Sequence, residues 1–331
     1  MAPSLPFERR RAVMRILWVQ ETHIIMAKVL IATEKPFAAP AVAGIKEIIE
    51  GAGFELALLE KYTEKAQLLN AVADVDAIII RSDKIDAEVL DAAKNLKIVV
   101  RAGAGYDNVD LEAATAHKVV VMNTPGQNAN AVAELVLGLL VFTVRNFYNG
   151  KAGSELKGKK LGILAFGNVG RNVARIAKGF GMEVAAYDAY CPADVITAAG
   201  VEAVASQEDL FKSCDIVSLH IPATAETKQS INKKLVGTMK KGAILINTAR
   251  KEVINEPELI ELLAERTDLK YITDIKPDAD AEFAKFEGRY FSTPKKMGAQ
   301  TAEANTNAGI AAANQIVGYI KEGITKFQVN K

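Results

Sequence analysis

Apolar residues gather in short runs separated by longer, mixed stretches of helix length. The runs read as strands at Lys28–Ala32, Glu55–Leu59, Ala77–Ile80, Ile98–Val100 and Val119–Met122. The series continues at Leu161–Ala165, Val184–Tyr187, Ile216–Leu219, Ile244–Ile246 and Tyr271–Thr273. Several are unbroken Ile/Val/Leu runs, as expected of parallel strands covered on both faces. Their alternation with helix-length segments predicts an α/β fold of doubly wound parallel sheets. The pattern also echoes itself. KEIIEGAGFELALLEKY (Lys46–Tyr62) and ARIAKGFGMEVAAYDAY (Ala174–Tyr190) each join a helix end, a GxG turn, a strand and a closing acid. Two βαβ systems therefore follow one another, and 331 residues suit two domains. Their first turns differ: the early one, TEKPF, has no glycine, whereas the later one is glycine-rich.

That later turn reads Ala165-Phe166-Gly167-Asn168-Val169-Gly170, which is G-x-G-x-x-G with alanine for its first glycine. Gly167 lets the backbone approach a pyrophosphate, and Gly170 lets the helix pack closely on the strand. Free N–H groups at the helix start then face the phosphates. Asp188 ends the next strand, where an acid bonds the ribose 2′-hydroxyl of NAD. Ala189, Tyr190, Cys191 and Pro192 after it offer no cation for a 2′-phosphate, so NAD is expected rather than NADP.

Composition narrows the remaining classes. Lys and Arg number 41 against 40 Asp and Glu, a net charge of +1 that gives no basic field for nucleic acid or an anionic membrane. Two cysteines, Cys191 and Cys214, are too few for a disulfide scaffold and have no metal-ligand spacing. The longest apolar run in the body of the chain, Leu135–Val144, falls short of the ~20 residues a bilayer span needs. Residues 1–25, with Arg9, Arg10, Arg11, Arg15 and the single Trp18, read as an extension outside the core, because Arg15 interrupts the apolar run a secretory signal needs. A cytoplasmic protein without membrane or nucleic-acid partners is expected.

Further segments stand in a telling order: RSDKID (Arg81–Asp86), VRAGAGYDNVD (Val100–Asp110), NTPGQNANAVAEL (Asn123–Leu135), SLHIPATAET (Ser218–Thr227), INTARKEVINE (Ile246–Glu256), YITDIKP (Tyr271–Pro277) and TPKKMGAQT (Thr293–Thr301). With the glycine turn, they make the chain from Met26 to Lys331 resemble the D-2-hydroxyacid dehydrogenases, especially short D-3-phosphoglycerate dehydrogenases. The resemblance implies two Rossmann-like domains about a deep cleft. Residues 26–122 plus 298–331 would form a discontinuous substrate domain, and 123–297 the NAD domain. It also implies a homodimer, and a helix at Ala131–Asn146, apolar nearly all round, would suit either that interface or burial. His220, Pro222 and Thr227, then Thr248, Ala249 and Asp274, would line the NAD cleft. Arg250 of NTAR would clamp the substrate carboxylate, a task its planar fork suits. Arg81 and Ser82 would hold a substrate phosphate, with Lys84 restoring the charge that Asp83 removes. Gly103, Ala104 and Gly105 would offer N–H groups to the carboxylate, with Asn108 supporting their loop.

The chain departs from the family pattern at the base. Most members carry histidine in TPHxGAQT and a glutamate five residues after the aspartate; here TPKKMGAQT has no histidine, and Ala279 stands in the second place. Of His23, His117 and His220, none lies in that motif. A lysine must act instead: Lys296 by counting back from Gly298, preferred because the GAQT side runs unbroken into the following helix, or Lys295 by counting forward from Pro294. An unperturbed lysine is neutral in only about one molecule in 2,500 at pH 7, so burial and nearby Arg250 would have to lower its pKa. The expected reaction is NAD-dependent oxidation of 3-phospho-D-glycerate to 3-phosphooxypyruvate, the entry to serine synthesis. A reductase for glyoxylate, hydroxypyruvate or another D-2-oxoacid is the second reading, and an NAD-sensing binding protein the third.

Overall fold

Every strand-like run becomes a strand, and the strands of both sheets pair in parallel. The computed structural model describes residues 26–331, so the reading of residues 1–25 lies outside the described residues. The first sheet contains β1 (Lys28–Thr33), β2 (Glu55–Glu60), β3 (Ala77–Ile80), β4 (Ile98–Arg101) and β5 (Val120–Asn123), in the order β2-β1-β3-β4-β5. The second contains β6 (Lys160–Leu164), β7 (Glu183–Tyr187), β8 (Glu202–Ala203), β9 (Ile216–Leu219), β10 (Ile244–Asn247), β11 (Lys270–Thr273) and β12 (Tyr290–Ser292). Their order is β12-β11-β10-β9-β6-β7-β8. β8 and β12 were not expected. They are the two edge strands of the sheet, and an edge carries no demand for a long apolar run.

Central strands are apolar throughout because helices cover both faces. All of β3 is 0% exposed, and so are Ile98, Val99 and Val100 of β4. One face of the first sheet is covered by the helices Ala39–Gly51 and Ala302–Glu322. They approach closely through small residues: a Cβ on Gly309 would meet Ile45 Cδ1 at 2.9 Å. The C-terminal helix thus returns to the first sheet, its start capped by the Thr301 hydroxyl, which accepts from Ala304 N at 3.1 Å. In the second sheet the helices Ala129–Val144 and Asn168–Gly179 pack together in the core. The first of these was expected at Ala131–Asn146. It stops at Val144 because Asn146, Phe147 and Tyr148 take φ of 51°, 55° and 55°, which no right-handed helix continues. No helix among the described residues is long and apolar enough to cross a membrane.

Register decides what meets at the carboxyl ends of the strands. Leu164 of β6 lies between Tyr187 of β7 and Leu219 of β9, so the turns that follow all three end side by side. Asn247 of β10 pairs with Thr273 of β11, and Ile80 of β3 with Arg101 of β4. Strand order reverses between β1 and β3 and again between β6 and β9. In open α/β sheets, ligands bind at such reversals.

Candidate active site

Three cavities of about 550, 440 and 470 Å³ run into one another along the cleft, and Ala104 and Asn128 line all of them. The largest follows β6. Gly167 and Gly170 line it together with Ala165, Asn168, Val169, Asp188, His220, Pro222 and Thr227. The helix that starts at Asn168 has no side-chain cap, so its first N–H groups remain free for an anion. A Cβ at Gly167 would meet nothing within 4 Å, whereas one at Gly170 would lie 2.3 Å from the Ala165 carbonyl oxygen. The glycines therefore do different things: one leaves room for a ligand, the other for the turn itself. Ala165 sits at φ 79°, a conformation that favours the glycine it replaces. Asp188 is held beside the turn, Oδ2 accepting from Phe166 N at 2.7 Å and Oδ1 from Tyr190 N and Cys191 N at 2.7 and 2.9 Å.

The second cavity continues from His220 past Thr248, Ala249 and Arg250 to Asp274, Lys296 and Gly298. Burial lowers the His220 pKa to about 4, so the ring is neutral at physiological pH, and its Nε2 lies 2.9 Å from Ser218 Oγ. Thr248 Oγ1 is buried and has no hydrogen-bond partner. A carboxamide could satisfy it, and a nicotinamide carries one. With the uncapped helix and Asp188, these residues fit NAD laid across the β6/β9 reversal.

The third cavity is a wall of cations. Arg81, Arg101, Arg250 and Lys296 line it with Ser82, Asn108 and the Gly103–Gly105 loop. Arg81 is fixed rather than free: Nη1 donates to the carbonyls of Lys35 and Pro36 at 3.0 and 3.1 Å, and Nη2 to Asn305 Oδ1 at 2.6 Å. Arg101 donates from Nε to the Arg81 carbonyl at 2.9 Å. Its guanidinium lies over Gly103, where an added Cβ would come within 1.5 Å of Nη1. Asn108 Nδ2 donates to the Asp83 carbonyl at 2.6 Å and ties the two loops together. Burial, then Arg81 and Arg250, lowers the Arg101 pKa against an upward pull from Asp107, the mark of closely crowded guanidinium groups.

Arg250 and Lys296 face this wall from the other side. Asn247 fixes the Arg250 loop, Oδ1 accepting from Ala249 N at 3.0 Å and Nδ2 donating to the Arg250 carbonyl at 2.9 Å. Asp274 is fully buried and holds the Lys296 loop. Its Oδ1 accepts from Thr293 Oγ1 and Met297 N at 2.9 and 2.8 Å, and its Oδ2 from Gly298 N at 2.7 Å. Gly298 is required here, since a Cβ would lie 3.0 Å from that Oδ2. Lys296 stays open to water on the cleft side, with protein crowding the rest. Burial first, then Arg250 and Arg101, hold its pKa below the usual lysine value, against upward pulls from Asp274 and Asp107.

Not every expected residue reaches the cleft. Phe166 is 1% exposed and lies in the core beneath Arg171; only its N–H, bound to Asp188, serves the site. Lys84 is exposed and lines none of the three cavities. Its neighbour Asp83 is drawn inward, accepting from Glu34 N and Tyr62 Oη at 2.7 and 2.9 Å, which leaves Lys84 facing away. Lys295 lines none of the cavities either, whereas Lys296 lines two. Arg101 and Asn128 were not singled out in the sequence. Arg101 was visible as a cation opening the Gly103–Gly105 loop, but its partner Arg81 lies on another strand; Asn128 gave no local signal.

Residues 143–289 match the family described as D-isomer specific 2-hydroxyacid dehydrogenase, NAD binding domain. The chain is 37% identical over 284 residues to hydroxypyruvate reductase of Thermotoga maritima, covering 79% of this chain and 90% of that protein. It is 35% identical to D-3-phosphoglycerate dehydrogenase of Methanocaldococcus jannaschii over 80% of this chain, but spans only 54% of that protein's length. Against a crystal structure of NAD+-bound 3-phosphoglycerate dehydrogenase from Entamoeba histolytica, identity is 48% and the TM-score 0.84, over 92% of this chain and 99% of that one. The chain belongs to the D-2-hydroxyacid dehydrogenase family, whose NAD-binding domain it carries.

Proposed function

We propose that the protein oxidises 3-phospho-D-glycerate to 3-phosphooxypyruvate with NAD. The observation that carries this reading is the third cavity, where Arg81, Arg101, Arg250 and Lys296 face the Gly103–Gly105 loop. That much positive charge suits a trianion better than a small monocarboxylate. Arg81, Ser82 and Arg101 hold the phosphate, while Arg250 and the Gly103–Gly105 N–H groups hold the carboxylate. Gly167, Asn168, Val169 and Gly170 hold the pyrophosphate of NAD, Asp188 its ribose, and Thr248 and Asp274 its carboxamide. NAD, when bound, would supply the acceptor for the C2 hydride. Neutral Lys296 accepts the C2 hydroxyl proton. Arg250 steadies the oxygen as it becomes a carbonyl. The lowered Lys296 pKa raises the neutral fraction this needs near neutral pH.

A second reading, reduction of hydroxypyruvate or glyoxylate, is favoured by one observation: Lys84 faces away, which leaves the phosphate anchor one cation short of expectation. The test follows NADH formation from NAD and 3-phosphoglycerate at pH about 8.5 in wild type, Lys296→Ala and Lys295→Ala. The reading expects turnover that falls by about 10²–10⁴-fold in Lys296→Ala and hardly at all in Lys295→Ala. Absence of wild-type turnover, with hydroxypyruvate consumed rapidly in the presence of NADH, would transfer the assignment to the reductase.

A further inference from the structure

A lysine that accepts a proton beside three guanidinium groups creates a fourth positive charge, which a nearby carboxylate would stabilise. Asp278 is paired with Lys251 at 2.5 Å, and Asp280 with Tyr290 Oη and Lys276 at 2.6 and 3.1 Å. Neither lines the cleft cavities. Asp274 is fully buried and already accepts three hydrogen bonds from the loop that carries Lys296. Asp107 is different. It stands on the loop after β4, across the cleft from Lys296, and its side chain is 89% exposed. It lines both cavities that Lys296 lines, and among the described residues its charged neighbour within ion-pair reach is Arg250 Nη2 at 4.0 Å.

We infer that Asp107 is the positioning carboxylate for Lys296, facing its ammonium from the opposite wall once the proton has been taken. The inference rests on the reading of Lys296 as the base. The substrate O–H bond breaks, its proton joins the Lys296 Nζ lone pair, and the electron pair left on oxygen forms the carbonyl as the hydride leaves C2 for NAD. The charged groups acting on Lys296 are Arg250, Asp274, Arg101 and Asp107, and neutral His220 shares its cavity. Those facing Asp107 are Arg250, Arg101 and Lys296.

Because Asp107 is exposed, Asp107→Asn and Asp107→Glu should fold. Competitive acetylation by acetic anhydride from pH 6 to 11, read at Lys296 by mass spectrometry without cofactor, follows the lysine directly. In Asp107→Asn the midpoint should fall by about half a unit, the scale of an exposed charge pair, and Asp107→Glu should restore it. With NAD and 3-phosphoglycerate, the acidic limb of kcat/KM should move down by a similar amount. Turnover should fall several-fold while KM does not rise, because Arg250 loses a competitor for the substrate carboxylate. An unmoved midpoint and pH profile, or a higher KM with a lower Tm, would overturn the pairing. An inactive wild type would refute the function itself, whereas active wild type with an unmoved Asp107→Asn midpoint refutes only Asp107.

Discussion

Arg101→Leu separates the reading of phosphate from the rest of the chemistry. Arg101 Nε is committed to the Arg81 carbonyl, so its two Nη groups are what remain for a ligand above Gly103. A hydrogen bond between charged groups contributes about 1.5–3 kcal/mol. Two such bonds, discounted for a site still open to water, amount to about 3 kcal/mol, or roughly 10²-fold in kcat/KM. The assay compares 3-phosphoglycerate with D-glycerate, which lacks the phosphate, in wild type and variant. The loss should fall almost entirely on the phosphorylated substrate, with D-glycerate changing less than about threefold on the same reasoning. A second readout has a definite sign. Arg101 helps hold the Lys296 pKa down, so its removal lets that pKa rise and moves the acidic limb of the pH profile upward. Equal losses on both substrates, or a limb that stays or moves down, would refute the assignment. The Tm must be checked alongside, since the variant also loses the bond to the Arg81 carbonyl.

The glycine turn yields two further predictions and His220 a third. Gly170→Ala forces a Cβ to 2.3 Å from the Ala165 carbonyl oxygen and should cost about 1–3 kcal/mol in denaturant melts, with loss of NAD binding by calorimetry. Ala165→Gly relieves about 1 kcal/mol of left-handed strain but adds a similar entropy to the unfolded chain, so its Tm should barely move. His220, with a folded pKa of about 4 against 6.5 unfolded, takes its proton first in the unfolded state as pH falls. Its contribution is complete above pH 6.5 and disappears toward pH 4; because the ring is partly open to the cleft, about 1–2 kcal/mol is at stake. His220→Gln should lack that segment of the stability–pH curve, and an identical curve would show that the ring is not desolvated.

What the sequence made legible was whatever one local segment had to satisfy alone. β3 and β4 are covered on both faces, so their apolar runs were unambiguous, whereas the edge strands β8 and β12 meet no such demand. Gly167, Gly170 and Asp188 were legible because one strand–turn–helix must supply them in order. Arg101 was not, because its meaning depends on β3 pairing with β4 so that Ile80 lies opposite it. Lys84 was misleading for the same reason: Glu34 and Tyr62, far away in sequence, draw Asp83 inward and set the direction of the loop.

The two first turns of the chain make the point most sharply. Both follow a β strand at a topological reversal, and only the second carries the glycines of a pyrophosphate turn. Yet the first turn has its own part in the cleft. In the second domain the backbone turns its N–H groups outward, which suits an anion. In the first domain the carbonyls of Lys35 and Pro36 point at Arg81, with the Phe37 ring 5.2 Å from its guanidinium. The same position in two related βαβ systems is thus used with opposite polarity, once to receive an anion and once to fix the cation that faces the cleft. A glycine in TEKPF would leave the carbonyl acceptors but loosen their geometry, which is a physical reason for a stiff proline where the other domain has a glycine.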